Sequence, residues 1–499
     1  MYDAVLRAWR GSAIIGLVAS LWGKFTAAVR RAFQNSAIAR FFAPVFTKFD
    51  MFGDLREHSV LLSLLKKPYD SVLFLSGALY RGFSRAWPLK YLAKLIDYLC
   101  ARLATVSAVI VTLILCVDDA YWNNFYMLLA AIFVSALYII KLAKEDHPRR
   151  HGIPVSLYVF ILCMAFAVTR GPLMADSIRV YTFFLSAFAF MFCIAGSIHD
   201  MRDFRRVFLI LFAAVLFNSF TAIFQSIDGV AVETSYTDIV VNAGLPGRVY
   251  ASLYNPNNLA EVLILLVPCC FISMFKSPEI KPSARFVLMA SLLIPIAALV
   301  LTYSRSSWIA FAIIVAAFIA LANVRYIPLM IVLGLMALPV LPYSIRNRIL
   351  TLFSGEDTSV GYRLYIWEGS LVTLRHNPIL GNGLGPGNFY RAYQKFMLWE
   401  AMVASHSHNL FLEIWLEGGL AAFASFVFFY LSTLKSTLVT AFRSRPEVKY
   451  AAIAVFSALF GVIAVAMVEY IWFYPRVLLT FWVIDGMAWA LVRVARETA

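Results

Sequence analysis

Along this chain apolar residues come in long uninterrupted blocks, not in alternation with polar ones. Runs of about 18–22 such residues recur, and that is the length an α-helix needs to cross the hydrocarbon of a bilayer. The spans they predict are 103–118, 124–142, 153–169, 180–197, 207–227, 259–275, 286–302, 307–323, 326–342, 410–434, 450–470 and 477–492. A transmembrane β-barrel is excluded, since its strands would be about ten residues long and alternate in polarity. Two stretches leave the pattern: residues 1–100 and the polar segment 343–409. The expected fold is an all-α integral membrane protein of about 12 transmembrane helices. Residues 1–100 would form a basic amphipathic arm and 101–342 spans 1–9. Residues 343–409 would make a large loop with short helices between spans 9 and 10, and 410–499 the last three spans and a tail.

Composition sharpens this picture. With 62% hydrophobic and 14% charged residues, the chain has too little polar surface for a soluble globule. A net charge of +15 would suggest nucleic acid in a soluble protein, but here its distribution reads as topology. Under the twelve-span scheme, 17 Lys and Arg of the short loops fall on the side of the basic arm. Only five, Arg170, Arg179, Arg248, Arg305 and Arg476, fall on the other. The positive-inside rule then puts both termini in the cytoplasm and the 343–409 loop on the periplasmic or extracellular face of the cytoplasmic membrane. Membrane lipids are expected partners and nucleic acid is not. In the arm, Ile14, Val18, Leu21, Phe25, Val29 and Phe33 follow helical spacing, with Lys24, Arg30 and Arg31 elsewhere on the turn, as in a helix lying in the interface. A cleaved signal peptide competes for that stretch, because Arg7 and Arg10 precede it. Further basic residues and no small-residue cleavage site follow.

The candidate chemistry lies on the outer side. Arg248, in Gly247-Arg248-Val249-Tyr250, and Arg305, in Tyr303-Ser304-Arg305-Ser306, stand at a membrane surface beside hydroxyls and backbone donors, a good seat for a phosphate. Snorkelling to lipid headgroups is the plain alternative. In the loop, Arg363 and Trp367 are one helical turn apart. The run Gly381 to Asn388 is a glycine-rich turn that could bring backbone donors to an anion but has no P-loop lysine. Tyr390 and Arg391 supply an aromatic face and a charge suited to a sugar wall or to a small structural core. His406 and His408 follow. No carboxylate cluster with ligand spacing accompanies them, so no metal site is expected. A lone neutral imidazole suits proton abstraction from a hydroxyl. All six cysteines lie in or beside apolar runs and read as packing.

The run Ser405-His406-Ser407-His408-Asn409-Leu410, with Gly419 following Asn409 after nine intervening residues, resembles the signature of the O-antigen ligase and polymerase family. Also similar to the family are Asn255-Pro256-Asn257-Asn258, Tyr303-Ser304-Arg305-Ser306, Arg363 with Trp367, and Gly381-Asn382-Gly383-Leu384-Gly385, in the family's order. Ala422 departs from the ligase pattern, which has glycine, threonine or tyrosine there. The resemblance implies a membrane glycosyltransferase that is metal-independent, inverting and without cofactor. Its donor would be an undecaprenyl-diphosphate-linked glycan, and its acceptor a glycan, lipid or protein. By the same resemblance His408 is the base and Arg248 and Arg305 hold the departing diphosphate. Arg363, Asn409, His406, Tyr390, Arg391 and Trp367 line the substrate; His406 is expected to be a neighbour of the base more than its partner. A polymerase of the same family is one alternative. A transporter or flippase of lipid-linked oligosaccharide is another, but carriers favour ionisable residues at the midplane, and only Asp485 is expected clearly inside a span. A non-enzymatic scaffold would leave the histidine and arginine pattern unexplained.

Overall fold

The structure, a computed structural model, describes residues 60–86, 89–145, 152–232, 246–270, 281–323, 326–337, 339, 341–350 and 358–497. The predicted interfacial helix around Ile14 to Phe33 lies outside these residues. The elements are α1 (Val60–Arg85), α2 (Lys90–Ala101), α3 (Leu103–Cys116), α4 (Asn124–Lys144), α5 (Val155–Ala167), α6 (Met174–Ser197) and α7 (Met201–Asp228). They continue with α8 (Pro256–Cys270), α9 (Pro282–Ser291), α10 (Leu293–Leu301), α11 (Arg305–Asn323) and α12 (Ile327–Ala337). Last come α13 (Tyr343–Leu350), α14 (Thr358–His376), α15 (Pro386–Tyr393), α16 (Leu410–Arg443), α17 (Pro446–Ala466) and α18 (Pro475–Glu497).

Among the described residues, eight helices are long and apolar enough to cross a membrane, with α9 and α10 counted together. A ninth is added if α2 and α3, bent by 85° at their junction, are taken as one. Helices of full crossing length among the described residues thus number eight or nine, against the expected twelve spans. Each predicted span coincides with a helix, but α5, Pro256–Val267 within α8, and most of α12 are shorter apolar helices that miss the length of a full crossing. The bend between α2 and α3 separates two kinds of surface. α2 leaves Tyr91, Leu95 and Tyr98 exposed, while α3 buries Leu103, Ala104, Ala108, Val111 and Leu115.

The bundle is organised around α18, whose apolar window is wholly buried. Because lipid tails are as apolar as leucine, packing and small residues hold such helices together more than water exclusion does. Gly486 shows why: a Cβ there would collide with the Met191 backbone, so a bare glycine lets α18 and α6 meet backbone to backbone. Aromatic rings fill the centre: Trp482 lies 4.6 Å from Phe188 and 5.5 Å from both Phe429 and Trp472. Such pairs add to area burial by about 0.5–1.5 kcal/mol each.

Hydrogen bonds gather the connectors at two ends. At one, Arg476 donates to Val117 O and Ser252 O, Tyr303 meets Ser344, Leu173 N meets Asn388, and Asn409 Nδ2 reaches Met467 O. At the other, Lys141 contacts His199, Arg493 donates to Ile198 O, and Arg205 pairs with Glu447. The predicted spans sort their connectors into these same two groups.

One predicted span is broken. Within α16, Gly419 has φ 75° and ψ −177°, a conformation open to glycine and strained for other residues. The break strips the helix of internal donors, and other segments supply them. Asn382 N bonds Leu416 O at 2.8 Å and Gly383 N bonds Glu417 O at 3.1 Å. Beyond the kink, Leu420 N reaches Pro378 O at 3.1 Å. Residues 410–418 are thereby docked to the polar loop before the helix proceeds.

Candidate active site

The glycine turn is what docks there. Gly381, Gly383 and Gly385 all have positive φ, and a Cβ at Gly381 would strike Glu417 O. Its amides are spent on protein acceptors: Leu384 N on Ser177 Oγ, Gly385 N on Glu417 Oε1 at 2.7 Å, Gly387 N on Asp176 Oδ2 at 2.9 Å. The turn's amides meet acidic side chains of the protein itself, Glu417 and Asp176. This turn is a structural lock and not a phosphate loop.

Asn409 caps α16 by accepting from Phe411 N and Leu412 N, each at 3.0 Å, and its amide donates to Met467 O. That cap satisfies orphan donors of the first turn and ties it to the connector 467–474. The backbone just before it is held from two more directions. Buried Glu413 accepts from Ser407 N at 2.6 Å, and His408 N donates to His406 Nδ1 at 3.2 Å. His408 takes φ 49°, an uncommon left-handed conformation that such over-determination can sustain. His406 is therefore a direct partner of His408, their rings 4.1 Å apart, with Phe473 on its other side at 4.5 Å.

The imidazole of His408 is aimed at Glu469: Nδ1 lies 2.9 Å from Oε1. Arg363 closes the far side, its guanidinium donating to Oε2 at 2.9 Å. All three side chains are largely withdrawn from water, 24%, 13% and 21% exposed in the order His408, Glu469, Arg363. Burial alone would raise the Glu469 carboxyl, but His408 and Arg363 together hold it well below the usual carboxylate range. An ionised Glu469 can only accept, so His408 Nδ1 carries a proton, and the neutral form of this imidazole has its lone pair on Nε2. His406 stays neutral: burial, His408 and Arg363 outweigh the pull of Glu469 and bring its imidazole down to about 3.

Glu469 corrects the expectation that no carboxylate accompanies the histidines. His406, His408 and Glu469 each offer a ligand atom, all within 4.8 Å of one another, so a metal ion could be met there. Two features work against a dication: His406 Nδ1 already accepts from the His408 amide, and the Arg363 charge sits on the same carboxylate. A second correction concerns charge inside the apolar helices. Asp485 is buried, but so are Glu261 in α8 and Glu413 and Glu417 in α16.

Arg248 is tied to the segment that leads into Arg305, at a different junction. Arg248 Nε donates to Thr302 O at 2.8 Å and its Nη2 to Asn257 Oδ1 at 2.7 Å. Thr302 lies three residues before buried Arg305, the first residue of α11. Glu261, one helical turn beyond Asn257, lies within electrostatic range of both Glu469 and Arg363. Tyr474 couples to Glu261 and Glu469 and bonds Asn255. A chain of neighbours thus runs from the arginine junction to the His408 triad. Trp367 shares α14 with Arg363 and keeps its indole N–H buried without a hydrogen bond. Tyr390 and Arg391 are exposed on α15, whose buried side holds Phe389 and Tyr393; no contact joins the exposed pair to His408.

Glu469 carried a readable signal. It is an acid in Glu469-Tyr470-Ile471-Trp472-Phe473-Tyr474-Pro475, an aromatic-rich connector on the same side as His408. Residues 290–427 match the family model described as O-Antigen ligase. An uncharacterized protein of Haemophilus influenzae is 29% identical over 84 residues, 16% of this chain; the match spans only 21% of that relative's length. Arg248 and Glu469 lie outside the matched family segment, while Arg305, Arg363, the glycine turn, both histidines and the Gly419 kink lie inside it. The segment 290–427 is thus similar to the O-antigen ligase family, and among the described residues it sits in a chain with eight helices long and apolar enough to cross a membrane.

Proposed function

We propose that this protein is a glycosyltransferase of O-antigen ligase type, moving a glycan from an undecaprenyl-diphosphate-linked donor to an acceptor hydroxyl at the outer face of the cytoplasmic membrane. The observation that carries the reading is His408 Nδ1 at 2.9 Å from Glu469 Oε1, with Arg363 on the other oxygen. That pairing fixes the tautomer and leaves Nε2 to act as base. The acceptor oxygen attacks the anomeric carbon and gives its proton to His408 Nε2. The bond from that carbon to the diphosphate oxygen breaks, the lipid diphosphate leaves with the electron pair, and the centre inverts. Arg248 and Arg305 face the charge that grows on the leaving group, the work a divalent ion does in other enzymes. Arg363 holds Glu469, while Asn409 and His406 hold the His408 backbone; Trp367, Tyr390 and Arg391 are the side chains offered to sugar.

The eight long helices, the bent pair and the three shorter apolar helices would make twelve spans. With both termini in the cytoplasm, every connector tied into the His408 end then lies outside. The acceptor distinguishes a ligase from a polymerase, and Ala422, which departs from the ligase pattern, keeps the polymerase as the second reading.

The test incubates purified protein with a lipid-diphosphate glycan and candidate acceptors in the presence of a chelator. Transfer is expected to continue, and His408→Ala to lose about 10²–10⁴-fold in turnover while still binding donor. Full activity in that variant would reject the base. A requirement for added divalent metal would replace this relay with a metal site at His406, His408 and Glu469.

A further inference from the structure

An enclosure lies between the connector 117–123, the segment 253–258 and the start of α18. Its volume is about 280 Å³, with Asp119, Trp122, Asn124, Tyr254, Asn258 and Tyr474 among its walls. That is close to the lower limit of small-molecule pockets, about 300 Å³, and matches one ring-sized ligand better than a polyprenyl chain. The walls are fixed in advance. Trp122 is clamped from two directions: the Arg476 guanidinium lies 4.9 Å over its ring, and its Nε1 donates to Asn124 Oδ1 at 2.7 Å. Arg476 in turn bonds Asp119 Oδ1 at 2.6 Å and two backbone carbonyls. This arginine serves as the frame of the pocket, and its charge is balanced there by Asp119.

Tyr254 is the part a purely structural account does not need. It takes φ 64°, a left-handed conformation unusual for an aromatic residue, and it is 59% exposed. Strained backbone is kept where the surroundings enforce it, commonly at binding sites. Here the strain holds a large ring out at the mouth of a pocket. Flat aromatic faces, amide groups and a carboxylate, with little net charge, are what a neutral pyranose needs: its C–H faces stack on rings and its hydroxyls bond the amides and the acid. Tyr474 joins this pocket to the triad, because it belongs to the connector that carries Glu469 and bonds Asn255.

We infer that this enclosure is a carbohydrate subsite for a neutral sugar ring of the glycan chain, other than the ring whose anomeric carbon reacts. The assignment of that ring to a transferred or accepting glycan rests on the glycosyltransferase reading; the affinity for sugar does not. Wild-type protein in nanodiscs is titrated with methyl glycosides of common neutral hexoses and N-acetylhexosamines, followed by saturation-transfer NMR. At least one glycoside is expected to bind. Tyr254→Ala and Trp122→Ala should weaken it by tenfold or more, and Tyr254→Phe and His408→Ala should leave it within twofold. No binding by any glycoside, or binding indifferent to Tyr254→Ala, overturns the subsite. Kinetics then separate the sources. Tyr254→Ala should raise KM about tenfold at nearly constant kcat, for a long-chain donor if the ring belongs to the donor, and for a long-chain acceptor if it belongs to the acceptor. Substrates cut back to the reacting sugar should not notice the change; an equal loss for short and long substrates also overturns it. Glycoside binding without transfer from any lipid-linked donor would reject the transferase reading and leave the subsite standing.

Discussion

The two ends of the bundle use charge in opposite ways. At the basic end, Arg206 pairs with Asp203 at 3.0 Å and Lys144 with Asp97, side chains substantially open to water. Pairs of that kind contribute about 0–1 kcal/mol each and weaken with salt. At the other end, Glu469 is enclosed between His408 and Arg363, and Arg248 spends its donors on Thr302 O and Asn257. Exposed charges such as Arg179 and Arg391 occur there too, but Glu469, Arg363 and Arg248 are largely withdrawn from solvent and have defined partners. On the proposed topology, charge at the first end orients the protein in its membrane; charge at the second bears on a protonation state. Mutations should therefore separate the two ends by kind of effect, turnover at one and small stability changes at the other.

The largest separation is expected for Glu469→Gln. The amide can present either an acceptor or a donor to His408 Nδ1, so the tautomer is no longer fixed and turnover should fall about 10²–10⁴-fold, with donor binding and helical content retained. Steady-state transfer kinetics beside circular dichroism check this; a rate within twofold of wild type would make the pairing incidental. Next is Gly419→Ala. It forces a Cβ against Ile379 O at φ 75°, with a strain of about 1–3 kcal/mol. Because the kink docks residues 410–418 to the loop, both thermal stability and activity should drop. A variant that kept its melting temperature would show that the helix can straighten without harm.

Why some of this was readable in the sequence and some not follows from range. The helices were legible because crossing a bilayer demands a run of fixed length, and a run is local. Arg363 with Trp367 and the Asn409 cap were legible for the same reason, since they depend on one helical turn. The His408–Glu469 pair joins residues 61 apart, and Glu469 sat within the predicted 450–470 span, where its charge looked like an untidy boundary. The structure ends α17 at Ala466 and turns the next residues into a connector, which makes that boundary charge the partner of His408. The glycine run was legible as a turn, but its acceptors were not, because Glu417 and Asp176 come from remote helices. Gly418 and Gly419 stood in plain view, yet nothing local says which of the two will break the run or what will dock at the break.

A smaller effect tests the enclosed end by pH. Burial holds the His406 imidazole at about 3, whereas an unfolded histidine titrates near 6.5. Between those values the unfolded chain binds a proton that the folded one refuses, so this stability is complete above about pH 6.5 and is lost as pH falls toward 3. Glu469, whose carboxyl is depressed, acts in the same direction at lower pH, below about 4.3. His406→Phe keeps a ring against Phe473 and Tyr470 but cannot take up a proton. Its melting temperature should fall less steeply than wild type's between pH 6.5 and 5, and parallel slopes would show that His406 is not the group being titrated.

The smallest effect belongs to the basic end. Removing both charges in Asp203→Asn with Arg206→Gln should change stability by no more than about 1 kcal/mol, less at high salt, with kcat unaltered. A single Arg206→Glu would be a harsher probe, because it alters the loop bias that orients the helices as well as the pair. If the double variant lost turnover while keeping its fold, charge at the basic end would be coupled through the bundle to His408, and the division of labour between the ends would fail. If only Arg206→Glu disturbs the protein, and does so by lowering the fraction inserted in the correct orientation, then these charges act during insertion and have little to do afterwards. That result fits their exposure, since a pair that water reaches freely can choose a side of the membrane without shaping what happens on the other.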